Sequence, residues 1–103
     1  MVLEKLMTDL KTLTLHDFEK LLDQVFEVRS VPADIQLSLV EVKLMGSGER
    51  QGGAFSTLWQ GPQEPLLEQS IYKLYRPDFG EQDVFLVPVA QKEAGIQYGA
   101  VFT

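Results

Sequence analysis

The residues that could do chemistry are few and widely spaced. His16 is the only histidine among the 103 residues, and the chain contains no cysteine. One histidine cannot form a metal cluster or a catalytic triad, and without cysteine there are no disulfides, no thiolate catalysis and no sulfur-bound zinc. His16 also falls in the first turn of a predicted helix. The sequence therefore predicts a protein that is not an enzyme, with no catalytic residue and no cofactor.

Two other segments superficially resemble binding sites. The stretch GSGERQGG, residues 46–53, is rich in glycine like a phosphate-binding loop, but it lacks the GK[ST] ending and no helix follows it. Asp78, Glu81 and Asp83 cluster around a predicted turn, and carboxylate oxygens are calcium ligands. The twelve-residue calcium-loop pattern is absent, and acidic residues are common in turns for conformational reasons. The sequence predicts a polar loop and no metal site.

The charge of the chain limits the class of partner. Nine basic residues are scattered among fifteen acidic ones, which gives a net charge of −6. Binding to nucleic acid or to an anionic membrane needs a basic face, so neither partner is expected. The N-terminal segment lacks the continuous apolar core of a signal peptide, and no apolar run reaches the roughly 20 residues of a membrane helix. These features predict a soluble, cytoplasmic protein.

The N-terminal residues show the periodicity of a helix. Apolar residues spaced at i, i+3, i+4 and i+7 form one stripe: Leu3, Leu6, Met7 and Leu10. We expect an amphipathic helical extension over residues 1–12. Its stripe either joins the core of the domain or contacts a partner subunit.

A second helix is predicted over residues 14–24. Thr14 can act as its N-cap, and Asp17, three residues later, can complete a weak capping box. One face of this helix is apolar, with Leu15, Phe18, Leu21 and Leu22. An isolated helix of this length is marginal in water, so we expect it to pack against the rest of the domain.

From Val25 onward the apolar period changes to two, which indicates strands. Six strands with short connections are predicted: VFEVRS, IQLSLVEVKLM, AFSTLWQ, SIYKLYRP, DVFLVPVAQ and IQYGAVF. In the second predicted strand, the alternating apolar positions shift by one residue near Leu39 and Val40, which predicts a β-bulge. The expected class is α+β, mostly β. One or two N-terminal helices precede a six-stranded antiparallel small barrel or roll, with a topology similar to Sm-like or SH3-like barrels. Residues 1–103 form one domain, of which 14–103 are the helix plus barrel.

The aromatic residues lie in the sheet half, where they either pack the core or present a surface to a partner. Ile71 and Tyr75 are the better surface candidates, because they alternate with the expected core residues Tyr72 and Leu74. Trp59 ends its strand just before a Gly-Pro pair, so its ring lies either in the core or at a rim. Eight of the ten aromatic residues make up this group in the sheet half: Phe55, Trp59, Tyr72, Tyr75, Phe79, Phe85, Tyr98 and Phe102.

Pro88 interrupts the fifth predicted strand. Proline cannot donate to a ladder, so we expect pairing to stop or bulge there while packing continues. The neighbouring residues on both strand faces are apolar, which predicts burial on both sides: Val84, Phe85, Leu86, Val87 and Val89. The alternative is that the hairpin over residues 83–102 presents an exposed edge that accepts a partner strand.

An ordered series of short segments resembles an uncharacterised bacterial family. The series comprises Gly61–Pro62 after an aromatic strand, IYKL at 71–74 before a Pro-x-x-Gly turn, FLVPV at 85–89, and the terminal segment 98–102. The family consists of small β domains about the size of this chain and is known as a domain of unknown function. The resemblance covers about residues 15–102. It implies association with phage-tail-like systems and a structural or accessory role.

Together, these observations predict a non-enzymatic interaction or assembly module. The partner is another protein or a second copy of the chain. The predicted contacts are the helical stripe and the outer strand positions: Leu3, Leu6, Met7, Leu10, Ile71 and Tyr75. The alternative function is a β-barrel that binds a small ligand, which needs a cavity that its own side chains do not fill.

Overall fold

A computed structural model describes residues 14–32, 34–46 and 54–102. Within these ranges one short helix, α1, precedes six strands, so the predicted mostly β class is confirmed. The predicted helical extension over residues 1–12 and most of the glycine-rich loop lie outside the described residues. The elements are α1 Leu15–Glu19, β1 Val25–Val28, β2 Ile35–Gly46, β3 Ala54–Gln60, β4 Ser70–Arg76, β5 Gly80–Lys92 and β6 Gly95–Phe102.

All six strands belong to one antiparallel sheet that closes into a ring. Around the ring the order is β1, β2, β3, β6, β5, β4, and β1 pairs again with β4. The consecutive strands β3 and β4 are not neighbours, because the connection over residues 61–69 carries the chain to the far side of β5 and β6. Among the described elements, no helix is long and apolar enough to span a membrane.

The start of α1 matches the sequence prediction, but its length does not. Thr14 is the N-cap, and its backbone N donates to Asp17 Oδ2 at 2.8 Å in a capping box. The helix was expected over 14–24 but ends at Glu19. Asp23 turns the chain with a φ of 68°, and its backbone N donates to the carbonyl oxygen of Leu39 at 2.7 Å. Bonding to the adjacent strand therefore replaces the last helical turn.

Two strands bend where the sequence indicates. The β2–β3 register shifts between Leu39 and Glu41, which confirms the predicted bulge. The inward direction expected for the apolar residues after the bulge is wrong, because Val40 is 38% exposed and Leu44 is 59% exposed. In β5 the ladder with β4 ends at Leu86, and the ladder with β6 begins at Val87 and shifts between Pro88 and Ala90. β5 therefore changes its neighbour between Leu86 and Val87, and the register shift after Pro88 confirms the predicted interruption of pairing.

The expected burial of β5 on both faces is wrong. Val84 and Leu86 are buried, but Phe85 is 50% exposed and Val89 is 56% exposed. The described residues cover only the inner face of the ring at this strand. The described chain therefore leaves apolar side chains of the outer face in contact with solvent.

Aromatic side chains fill the inside of the ring. Phe18 of α1 closes one end, with its ring centroid 5.5 Å from that of Phe55 and 5.1 Å from that of Phe102. Trp59 is fully buried, its ring lies edge-on to Phe26 at 4.9 Å, and its Nε1 donates to Thr57 Oγ1 at 2.8 Å. Trp59 is thus a core residue and not a rim residue.

Candidate functional site

The outer face of β4 and β5 carries two large apolar side chains side by side. Ile71 of β4 lies directly opposite Phe85 of β5 in the antiparallel ladder. Ile71 is 61% exposed and Phe85 is 50% exposed. We call these two residues the apolar pair. Sequence reasoning singled out Ile71 but not Phe85, although Phe85 shares its strand face with Asp83, a signal that this face is solvated.

The next cross-strand pair on this face is charged. Lys73 lies opposite Asp83, and Lys73 Nζ donates to Asp83 Oδ1 at 3.0 Å. This hydrogen bond to a carboxylate raises the pKa of Lys73 above its ordinary value, so the ammonium group stays charged across the neutral range. An ion pair this exposed adds little to stability. Its role at this position is to place opposite charges beside the apolar pair.

Tyr75 lies on the same outer face, beyond Lys73, but a residue of its own chain covers its ring. The Arg29 guanidinium carbon is 3.5 Å from the centroid of the Tyr75 ring. Arg29 Nε also donates to Glu27 Oε1 at 2.9 Å, and this bond is the main cause that raises the pKa of Arg29. Arg29 Nη1 is 3.8 Å from Glu81 Oε2. Of the two predicted outer contacts, Ile71 therefore presents the more open surface.

A depression of about 210 Å³ lies on the outer face of the neighbouring strands. Gly99 of β6 lies opposite Leu58 of β3 and opposite Val87 of β5. A Cβ atom added at Gly99 would be 3.3 Å from Val89 Cγ1, which is a tight contact, so the absence of a side chain at Gly99 is what lets Val89 lie close to it at the edge of the depression. The walls of this Gly99 depression are Glu41, Ser56, Thr57, Leu58, Val89, Ala100 and Val101.

A larger groove of about 560 Å³ lies between the connection over 61–69 and the second half of β5. The connection is held in place because the backbone N of Leu67 donates to the buried hydroxyl of Tyr98 at 2.9 Å. Gln63 Nε2 donates to the carbonyl oxygen of Glu93 in the β5–β6 turn. The groove is lined by Gln63, Glu64, Pro65, Leu66, Pro88, Ala90, Gln91 and Ile96.

The titratable residues considered from the sequence pair with other side chains. His16 is exposed, and its Nδ1 lies 3.0 Å from Glu19 Oε1. The three carboxylates around the turn contact three different cations: Asp78 contacts Arg76, Glu81 contacts Arg29, and Asp83 contacts Lys73. Within residues 14–32, 34–46 and 54–102, no three potential ligands lie close enough to hold a metal ion. The outer face of β4 and β5 therefore presents apolar side chains for packing and charged side chains that are already paired.

The remaining predicted contacts belong to the N-terminal stripe. Its four residues, Leu3, Leu6, Met7 and Leu10, lie outside the described residues. Their contact with a partner stays a prediction from the sequence.

Comparison with known proteins identifies a family and no characterised relative. No curated protein and no solved structure matches the chain. The family profile described as a domain of unknown function (DUF6916) matches residues 13–102. That range contains α1 and all six described strands, so it includes the apolar pair, the Gly99 depression and the groove. The chain therefore belongs to the DUF6916 family.

Proposed function

We propose that the protein is a non-enzymatic interaction module that binds another protein through the outer face of β4 and β5. The observation that carries this proposal is the apolar pair, in which Ile71 and Phe85 are both at least half exposed and lie directly opposite each other. Soluble proteins commonly expose single apolar residues, but adjacent large ones mark contact surfaces. Aromatic residues, phenylalanine among them, are enriched in protein–protein interfaces.

The surroundings of the pair also suit binding. The β4–β5 ladder is regular from Ser70 opposite Leu86 to Arg76 opposite Gly80. Both side chains therefore project from paired backbone, and little conformational entropy remains to be lost when a partner binds. Lys73 and Asp83 lie next to the pair and provide the polar rim that surrounds the apolar centre of many interfaces.

Removal of the apolar pair tests this function. We expect the double variant Ile71→Ser, Phe85→Ser to retain at least about tenfold less partner protein from a native lysate than the wild type, because truncating interface anchors costs about 2 kcal/mol or more. The measurement is quantitative mass spectrometry of proteins captured on the immobilised chain. The matched control is Met45→Ser, which changes another apolar residue that is 56% exposed.

The comparison between the two variants decides the outcome. A partner held equally by the wild type and Met45→Ser, and lost on the double variant, supports the proposal. Equal capture by all three proteins, or capture by none, contradicts it. Thermal unfolding of each variant verifies that the ring is intact, and both substitutions are at exposed positions where stability changes are small.

The groove supports a second candidate function, the binding of a small ligand. Its volume of about 560 Å³ lies within the range of roughly 300–1,000 Å³ found for ligand pockets. The inside of the ring is filled by side chains such as Trp59 and Tyr98, so the ligand would bind at the surface and not within the ring. Pro88 and Ala90 supply an apolar wall, and Glu64 supplies a charge.

A tryptophan placed in the groove tests this second function. We expect a compound that raises the unfolding temperature of the wild type to lose its effect on Ala90→Trp, because the indole occupies the groove. Gln36→Trp is the control, since Gln36 is an exposed strand residue outside the groove lining. Screening of a diverse small-molecule library by thermal shift provides the measurement. Loss of the ligand effect on both variants, or no stabilising compound, would count against the groove.

The resemblance in the strand segments supports one more step of the proposal. We assign the module a structural or accessory role in a bacterial phage-tail-like system on that resemblance alone. The relation to Sm-like or SH3-like barrels also stays a prediction from the sequence.

A further inference from the structure

We propose that the apolar pair of one copy of this chain binds in the Gly99 depression of a second copy. The inference rests on the proposed function and names the occupant of the surface. The Ile71 and Phe85 side chains project from β4 and β5, whereas the depression lies across β3, β6 and the second half of β5. The two surfaces are different parts of one chain, so the contact joins unlike faces of two copies.

The shapes of the two surfaces correspond. The Gly99 depression has a volume of about 210 Å³, which equals about seven water molecules at roughly 30 Å³ each. That space can receive a large side chain. Its walls include Leu58, Val89 and Val101, and Val101 is 58% exposed. Insertion of Phe85 would therefore remove apolar surface from water on both copies.

The charges beside the two surfaces also correspond. Lys73 and Asp83 flank the apolar pair. Glu41 lines the depression, and Lys43 lies opposite Ser56, another lining residue. Each surface therefore carries one cation and one anion, so Lys73 can meet Glu41 and Asp83 can meet Lys43 across the contact.

This local neutrality favours a second copy as the occupant. The whole chain has a net charge of −6, so two copies repel each other over most of their surfaces. The four charged residues that border the contact sum to zero: Glu41, Lys43, Lys73 and Asp83. Contact through these two surfaces therefore joins the copies where these four charges balance.

A contact between unlike faces leaves one free surface of each kind at the ends of a dimer. Such heterologous contacts continue into rings or open chains, whereas contacts between like faces stop at two copies. We therefore expect the purified wild type to form species larger than a dimer as its concentration rises. Sedimentation velocity from low micromolar to near millimolar concentration gives the measurement.

Two variants remove one surface each. Ile71→Ser, Phe85→Ser removes the projecting side chains, and Gly99→Val fills the depression. Gly99 has no φ in the left-handed region, and an added Cβ there approaches only the Val89 side chain, which must shift slightly, so thermal unfolding of Gly99→Val verifies that the ring is intact. We expect each variant alone to be monomeric at concentrations where the wild type associates. Leu22→Ser changes an exposed residue outside both surfaces and outside the groove, and is the control that still associates.

Mixing the two variants is the decisive experiment. Each variant keeps the surface that the other has lost, so an equimolar mixture should form a one-to-one complex that grows no further. A wild type that is monomeric at every concentration overturns the inference, as does a mixture that stays monomeric or a variant that associates like the wild type. The lysate capture experiment is separate, so binding of a different protein through the apolar pair would survive such a result.

Discussion

Phe18→Ala should lower the free energy of unfolding by about 3–5 kcal/mol, the usual cost of removing a buried phenylalanine. Phe18 is completely buried and contacts three other rings, with centroid distances of 5.5 Å to Phe55, 5.7 Å to Phe79 and 5.1 Å to Phe102. The helix that carries it, α1, has only five residues and cannot be stable by itself. Loss of the ring therefore leaves a cavity at the end of the closed sheet and releases α1.

Urea unfolding followed by tryptophan fluorescence measures this effect. The control is Leu22→Ala in the adjoining turn, where the side chain is 37% exposed and the expected loss is below about 1 kcal/mol. Phe18→Leu keeps most of the buried volume and should cost less than Phe18→Ala. Since a domain has only about 5–15 kcal/mol of stability, the alanine variant can be partly unfolded without denaturant. Equal losses for Phe18→Ala and Leu22→Ala would contradict the role of Phe18 as the end of the core.

Gly95→Ala should destabilise the protein by about 3 kcal/mol or more, because backbone strain and a backbone clash combine at this position. Gly95 has a φ of 136°, which favours glycine. An added Cβ would overlap the carbonyl oxygen of Gly61 and lie 2.9 Å from the Pro62 carbonyl carbon. Both neighbours are backbone atoms that cannot rotate away. The clash therefore displaces the start of the connection over 61–69.

The displaced segment is hydrogen-bonded to β6, which increases the cost. Gly61 N donates to the carbonyl oxygen of Ile96 at 2.8 Å, and Ile96 N donates to that of Pro62 at 3.3 Å. Gly80→Ala is the matched control, because Gly80 has a φ of 82° but no atom within 4 Å of an added Cβ. Gly80→Ala should lower the free energy of unfolding by only about 1–2 kcal/mol, the cost of placing alanine in a left-handed conformation. Chemical denaturation measures the free energy of unfolding of both variants. A loss of stability in Gly95→Ala no larger than that in Gly80→Ala would refute the argument.

The strand elements could be predicted because each depends on neighbouring residues. Alternation placed Phe26 and Val28 on one face of β1, and the parity change near Leu39 indicated the bulge in β2. Gly80 and Gly95 follow turn residues in the sequence, and both have the positive φ that glycine adopts without strain. These features follow from the two-residue period of a strand and from the steric limits of short turns.

The candidate site could be predicted only in part. Ile71 alternates with Leu74 and Tyr72 in the sequence pattern, so its outward direction was visible. Phe85 was harder to assign, because apolar residues occupy both faces of its strand and the pattern alone suggests burial on each side. The covering of Tyr75 was also beyond the sequence, since Arg29, which lies over its ring, is far away along the chain. Contacts of this kind depend on which strands become neighbours.

The sequence by itself determined the helix cap at Thr14, the six antiparallel strands and the two interruptions at Leu39 and Pro88. All of these depend on interactions within a few residues, which the chain encodes locally. Only the tertiary structure decided that β3 pairs with β6 and that the ring closes between β1 and β4. It also decided that Phe85 and the Gly99 depression stay uncovered. Those outcomes depend on how distant segments pack together, and no local period in the sequence specifies that packing.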